Sequence, residues 1–499
     1  TASATDADLP GNGFTYSLEG TVPVGASIDP QTGLFTWTTS AGQAGGYSLT
    51  VRVTDNGTPA LFSEQTVTVT VISNAASFQG LGDLPGGITL SRPFGVSGNG
   101  TMVVGESEGA SGPEPFRWTV GGGIENVSTL VGEPVAAVRA ASFDGSVIVG
   151  SGLAGVFRWS QTDGFQTIVG TVGAYSGNTV SSDGSVVVGK GQINIFTPGG
   201  AFRWTSATGA VHLDTLPGYL DGEAFAVSAD GNVIVGASYS GPSGEPEQAV
   251  RWVADGLGGF TVEALGDLPG GNFMSRALAV SADGTVIVGV SESDLGPEVF
   301  RWTATEGMQR LGDGALEGAV GVSADGSVIV GGNQGNAFVW DANNGVRNLQ
   351  GVLFDLGVPG MDGWSSLSAV GISADGRTIV GEGTNPQGDQ EAYRAVFPEN
   401  LFAPVYSGPT SFSGQADSLI NFSLNLFAPD VSDLDSATQQ FQVRLIGNVP
   451  AGVTLDPFGF FSWTPPTSDI GVHQLTVRLY DNGVPSRFSE FQIDVTVTA

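Results

Sequence analysis

At 499 residues the chain is too long for one ordinary core, and two to four domains is the expected range. Its 49 acids against 17 bases give a formal charge of −32, which excludes nucleic acid and anionic membranes as partners because both are bound through a basic face. The 78 glycines and 13% charged residues exclude long helices, the 40% hydrophobic content excludes a disordered chain, and the lack of cysteine excludes disulfides and thiolate metal sites.

Residues 1–72 read as a β-sandwich module, with apolar positions alternating through YSLTVRVTDNGTPALFSEQTVTVTV (47–71) and a D-N-G turn inside it. No apolar run spans a bilayer and no charged-then-apolar leader opens the sequence, so direct membrane insertion is not expected. An exported form would have lost its signal or would carry it upstream.

Residues 77–398 are repetitive. SADGNVIVG (228–236) recurs as SADGTVIVG (281–289), SADGSVIVG (323–331) and SADGRTIVG (373–381). Looser copies stand at 97–105, 142–150 and 181–189. The turn positions are Asn99, Asp144, Asp183, Asp230, Asp283, Asp325 and Asp375, which is 276 residues over six intervals, or 46 per repeat. A second landmark, F-R-W or a variant of it, follows in each copy and places Arg117, Arg158, Arg203, Arg251, Arg301 and Arg394 in register, with Val339 in the sixth. The third, L-G-D-L-P-G-G, stands at 81–87 and 265–271.

Four short strands in each 46-residue unit is the spacing of a β-propeller blade. The first strand ends at the S-x-D-G turn, where a two-residue primed turn needs positive φ, and VIVG is the second strand. F-R-W is third and L-G-D-L fourth. The seventh copy stops after Tyr393–Phe397 without a fourth strand, and a spare one, Phe78–Leu84, precedes the first copy. The N-terminal strand is therefore expected to complete the seventh blade and latch the ring.

Residues 403–499 repeat the first module at an offset of 426 over the D-N-G region. Asp6 and Asp8 align with Asp433 and Asp435 at offset 427, so residues 403–427, the first strands of the C-terminal copy, have no N-terminal counterpart. Either an excerpted chain or strand donation from a neighbouring chain accounts for this. The fold class is all-β: a seven-bladed propeller flanked by two immunoglobulin/cadherin-like sandwiches, the first lacking its opening strands.

Through these three landmarks, residues 78–397 resemble the HAF-type extracellular repeat of bacterial surface proteins. The ends, through I-D-x-x-T-G-L-F-x-W (28–37) and V-T-D-N-G (53–57), resemble the Ig/cadherin-like modules of such proteins. Both resemblances imply a secreted or cell-surface location, and neither implies a defined enzymatic activity.

The two histidines, His212 and His473, occupy repeat-equivalent positions: Tyr47 stands at the place of His473, and Gln309 or Met308 at that of His212. Both read as structural, which leaves no triad to assemble. The F-R-W arginines point away from their Phe and Trp, and the S-x-D-G aspartate is the expected partner. An anion-binding arginine ring is the alternative. Asp6, Asp8 and Asp55, with Asp433, Asp435 and Asp481, offer hard oxygens suited to Ca²⁺, although Asp also favours turns for backbone reasons.

The variable 2–3 loops and the L-P-G-G turns share the face opposite the D-G hairpins. Phe196, Tyr219, Tyr239 and Phe273 lie there as the expected ligand surface. The reading is a non-catalytic surface or matrix protein acting in adhesion or self-assembly (filament, sheath or surface layer), through strand exchange between the end modules. A glycan- or protein-binding propeller on sandwich stalks is the alternative. A propeller hydrolase or lyase is the third reading, opposed by the lack of an outlying acid pair.

Overall fold

A computed structural model of the protein describes residues 13–37, 45–71, 76–170, 176–192, 200–240, 247–312, 318–332, 335–398, 404–426, 431–432, 440–484 and 486–499. Among these the chain is nearly all β, with two short α-helices, Val127–Val131 and Leu349–Asp355. It divides into two units, Thr1–Ala75 and Ala76–Ala499.

The larger unit contains seven four-stranded antiparallel sheets built from the repeats. The fourth is representative: Asp221–Val227, Val233–Tyr239, Glu247–Ala254 and Phe260–Ala264, each strand paired to the next. The first strand of every sheet packs on that of the next, and the strands of the seventh pack on Gly86–Val96 of the first, so the sheets close on themselves. Gly371–Ile372, Thr378–Thr384 and Gln390–Val396 make three strands of the seventh sheet. Ser77–Gly80 is the fourth, with Ser77 opposite Val396 and Gly80 opposite Tyr393. The latch lies where the sequence placed it.

The V-I-V strands are apolar on both sides because both sides are covered. Ile148 packs with Met102, Val104 and Phe157, while Val147 and Val149 pack with Val180, Val187 and Phe202 of the next sheet. The core is thus a set of clusters between neighbouring sheets.

The S-x-D-G turn differs from the two-residue primed turn expected. The Gly284 N–H donates to Ser281 O (3.0 Å) and the Ser281 N–H donates to Val286 O (2.9 Å), so four residues make the loop. Only the glycine takes positive φ (76°). Asp283 serves as an acceptor: its Oδ1 takes the Ser281 hydroxyl (2.6 Å) and the Thr285 N–H (3.0 Å), while Ser281 Oγ accepts the Val286 N–H (2.9 Å). Asn99 does the same in the first sheet without an ionisable group.

The residue after the serine has its own task. N–H groups donate from Phe143 to Ser182, Ala229 to Ala282, Ala282 to Ala324, Ala324 to Ala374, Ala374 to Gly98 and Asn99 to Phe143, all at 2.8–3.0 Å. These bonds tie six of the seven junctions around the axis.

The Ser281 hydroxyl and the Thr285 N–H hold Asp283 below the usual carboxylate range, and the Ser228 hydroxyl does the same for Asp230. A folded-state pKa below the unfolded value contributes stability above about pH 4 that is lost as pH falls through the folded value. The urea midpoint is expected to hold from pH 7 to about pH 5 and to fall below about pH 4. A midpoint unchanged at pH 3 would remove this role from the turns.

In the smaller unit, Phe14–Glu19, Gly45–Asp55 and Phe62–Val71 form one sheet, and Ala26–Ile28 pairs with Phe35–Trp37. The C-terminal copy has the same pairs and four further strands, of which Val405–Tyr406 pairs with Val431–Ser432. Ser411–Gln415 runs parallel to Phe488–Thr498, and Ile420–Ser423 pairs with Phe460–Trp463. With Val405–Tyr406, these are the strands in the stretch without an N-terminal counterpart. Ile493 is fully buried in a core that includes Ile420, whereas its counterpart Val67 is 45% exposed. Trp463 meets His473 edge-on at 4.9 Å, as Trp37 meets Tyr47 at 4.8 Å, so His473 holds the aromatic place assigned to it.

Candidate ligand-binding face

The F-R-W arginines do not pair with the S-x-D-G aspartates, whose inner oxygen is already taken by the turn. Each instead reaches an acid of its own third-to-fourth hairpin or the neighbouring sheet. Arg117 and Arg251 bond Glu125 and Glu263, their direct cross-strand partners. Arg158 and Arg301 bond Asp163 and Glu306 in the turns (2.8 Å each). Arg158 also donates to Gly184 O (3.0 Å) and Arg394 to Gly100 O (2.8 Å), both in the next sheet's D-G turn.

The guanidinium groups of Arg117, Arg251, Arg301 and Arg394 lie 4.6–6.0 Å over Trp159, Trp302, Trp340 and Trp118 of the following sheet, and Arg203 lies over Phe260 (5.3 Å). Each such contact is worth about 0.5–1 kcal/mol. Burial pulls the pKa of Arg394 down to about 10. The arginines are mortar between sheets.

The exception at Val339 has a structural reason. Arg347 stands directly across the hairpin from Val339 and bonds Asp341 (2.7 Å), Asn482 O (2.8 Å) and Gly483 O (3.3 Å). Asn343 and Asn344 donate to Ser486 O and Asp481 O (3.3 Å each), and Val484 enters the core around Leu353 and Trp364. The sixth sheet is thus rebuilt to receive the D-N-G-V-P loop of the C-terminal sandwich. For this reason the repeats and that sandwich form one compact unit rather than two.

This docking bears on the acidic loops. Asp481 is buried, and its Oδ1 accepts the N–H groups of Gly483 (3.0 Å) and Arg487 (3.1 Å). Asp55 Oδ1 accepts those of Gly57 (2.8 Å) and Leu61 (3.1 Å). Asp6, Asp8, Asp433 and Asp435 lie outside the described residues. Among the described residues no cluster of three or more metal-ligating side chains occurs.

At the opposite end, the L-G-D-L-P-G-G segments brace adjoining sheets. Ser91 donates to Gly82 O (2.7 Å) and accepts the Ala392 N–H (3.0 Å), and Ser275 does the same with Gly266 (3.1 Å) and Ala249 (3.0 Å). Strands alternate direction, so this end also carries the 2–3 hairpins. Ile88, Leu153, Leu220, Phe273 and Leu295 are all exposed there, Leu220 at 72% and Phe273 at 70%.

Of the four aromatic residues expected on this face, Phe273 is presented to solvent and Phe196 lies outside the described residues. Tyr219 is half-buried and donates to Gln248 (3.2 Å). Tyr239 is a correction: it is only 8% exposed, with Lys190 Nζ 4.9 Å from its ring, so it offers no free face to a ligand. Burial, then the Glu247 and Glu223 carboxylates, push its phenol up. Glu247, 1% exposed, is pushed up by burial and held back by its ion pair with Arg276. Beside this pair a cleft of about 210 Å³ opens between the fourth and fifth sheets. Sequence reasoning missed it, because it depends on an acid and an arginine 29 residues apart in different repeats.

His212 pairs with Phe202 as Arg310 pairs with Phe300, so Arg310, not Gln309 or Met308, is its counterpart.

Residues 1–73 and 403–497 match the family model described as "Putative Ig domain"; the two ends are Ig-like modules. A search of the curated proteins finds no match. Among solved structures, TolB from Acinetobacter baumannii is 14% identical, covering 61% of this chain and 76% of its own, with a TM-score of 0.37. An oligogalacturonate lyase in complex with manganese is 12% identical over 78% and 99% (TM-score 0.41). A gluconolactonase from Xanthomonas campestris is 14% identical over 54% and 92% (TM-score 0.33).

Proposed function

We propose that the protein is a non-catalytic, extracellular surface protein: a seven-bladed propeller displayed by Ig-like modules and acting in adhesion through its L-P-G-G face. One observation carries this reading. The C-terminal sandwich is fixed to the Asp341–Gly345 turn of the sixth sheet, which belongs to the D-G end, while at the other end five large apolar side chains stand exposed, against Val120, Phe143 and Leu257 at the D-G end. Single exposed apolar residues are ordinary, but five on one face fit an interaction surface. The Ig-like ends and the HAF-type resemblance of the repeats support a secreted, surface-bound setting.

The partner classes are glycans, other surface proteins and further copies of the chain. Retention of the full chain on glycan and surface-protein arrays tests the reading. Leu220→Ser with Phe273→Ser should lower retention at least about tenfold while leaving the melting temperature within a few degrees. Equal retention by the variant would sink the assignment of the face. Electron microscopy with and without chelator decides the self-assembly branch. Filaments or sheets that dissolve in chelator would support calcium bridging of the modules, and monomers in both conditions would end it.

A further inference from the structure

The two junctions carrying L-G-D-L-P-G-G, between the seventh and first sheets and between the fourth and fifth, are built alike. In each, one residue of a third strand bridges in parallel to the next inner strand: Gln390 to Leu90, and Glu247 to Met274. In each, the serine clamp is followed by an arginine, Arg92 or Arg276. Their surroundings differ: the bridging residue is the neutral Gln390 in one and the acid Glu247 in the other, and the cross-strand neighbour of the arginine differs as well. Arg92 is held between two acids, with Nε 3.3 Å from Glu382 and Nη1 3.8 Å from Glu106, its direct cross-strand neighbour. The cross-strand neighbour of Arg276 is Val290.

Arg276 has one carboxylate, the buried Glu247 on its Nε, and no cross-strand acid. Among the described residues its Nη nitrogens meet no acid other than Glu247, and the side chain is 48% exposed. Arg276 lines the cleft, whose walls also include Met274, Val290 and Pro297, with Glu292 beside them. A guanidinium offers two parallel N–H donors to a carboxylate, and a buried acid on its third nitrogen fixes the fork in place.

We propose that this cleft binds a small carboxylate with an apolar body, the chemistry of an apolar amino acid, whose carboxylate takes the place that Glu106 holds at the sister junction. Several features set the class. The apolar walls favour an aliphatic or thioether side chain over a sugar ring. About 210 Å³ is below the usual range for drug-sized ligands and suits about one residue. Glu292 disfavours a dianion and offers an acceptor to an α-ammonium group. Two sources share this chemistry, a free amino acid and the C-terminal residue of a polypeptide. The cleft adjoins the face proposed for adhesion, since Met274 follows Phe273 and Pro297 shares a hairpin with Leu295, but its chemistry rests on Arg276 and not on the exposed apolar side chains.

Calorimetric titration of the full chain with L-leucine, N-acetyl-Ala-Leu and L-leucinamide tests it. Binding of either carboxylate with at least about tenfold weaker binding of the amide is expected. Leucine binding alone identifies a free amino acid, and binding of the dipeptide identifies a polypeptide end. Val290→Glu restores the sister junction's internal carboxylate and should abolish binding without lowering the melting temperature. This separates loss of the site from misfolding, which Arg276→Gln risks by leaving Glu247 unpaired. Binding of the amide as tightly as the acid, no binding of any of the three, or unchanged binding to Val290→Glu would each overturn the proposal.

Discussion

Gly236→Ala is expected to destabilise the larger unit by about 3 kcal/mol, although it adds a single methyl group. The cause is the inner strand. In six sheets its pairing with the second strand slips by one residue just before the S-x-D-G turn, for example between Ala224 and Ala226. Such a bulge pushes a carbonyl toward the second strand. The last glycine of V-I-V-G lies beneath it. A Cβ on Gly236 would stand well under 3.0 Å from Glu223 O, and the same holds for Gly105, Gly150, Gly189, Gly289 and Gly381 against their own inner strands. Backbone cannot swing aside as a side chain can, so the sheet must shift. Gly170, with open space around its Cβ position, is the control and should change stability by less than about 0.5 kcal/mol. Urea unfolding followed by tryptophan fluorescence reads both. A Gly236→Ala variant as stable as the Gly170→Ala variant would refute the close approach.

Phe78→Ala should cost about 3–5 kcal/mol, the range for emptying an aromatic site in a core. Phe78 is the anchor of the latch. Its ring stacks on Tyr393 at 4.7 Å and meets Trp364 edge-on at 5.1 Å, in the cluster that also receives Val484 of the C-terminal sandwich. Only four residue pairs join Ser77–Gly80 to the seventh sheet, so side-chain burial, more than pairing, holds the strand there. Loss of the ring should loosen the seventh sheet first, seen as faster amide exchange at Gln390–Val396 than in the third sheet. Uniform acceleration in every sheet would argue against a local latch.

Much of this architecture was legible because the repeats carry it in short range. The S-x-D-G spacing marks where strands turn, and the missing fourth strand of the last copy, set beside the spare strand at 78–84, points to the latch. The turn itself was read as too tight. Aspartate there serves as an acceptor for Ser and backbone N–H groups, and only the glycine needs positive φ. Aligning the two end copies set residues 403–427 apart, and Ser411–Gln415 and Ile420–Ser423 form strands there in the C-terminal copy.

What stayed hidden is contact between distant segments. Val339 looked like a blemish in the arginine series, yet Arg347 across the hairpin takes over and receives the C-terminal loop. The partners of the F-R-W arginines were misassigned for the same reason: Glu125 and Glu263 are neighbours only once the fourth strand is in register. Tyr239 carried the composition of a binding residue, but the fold places Lys190 over it. The Arg276 cleft emerges only from comparing two junctions that differ at Glu106 against Val290 and at Gln390 against Glu247.

The closed ring with its N-terminal strand in the last sheet is the claim on which the rest depends, and the absence of native cysteine makes it open to a direct measurement. Ser77 and Val396 face each other across the seventh sheet, at a separation within reach of a disulfide. The Ser77→Cys, Val396→Cys double variant should form an intramolecular disulfide under mild oxidation. It should migrate as a compact monomer on a non-reducing gel and unfold at higher urea than its reduced form. Free thiols that persist under oxidation, or a bond formed only between molecules, would contradict the latch and the closed ring.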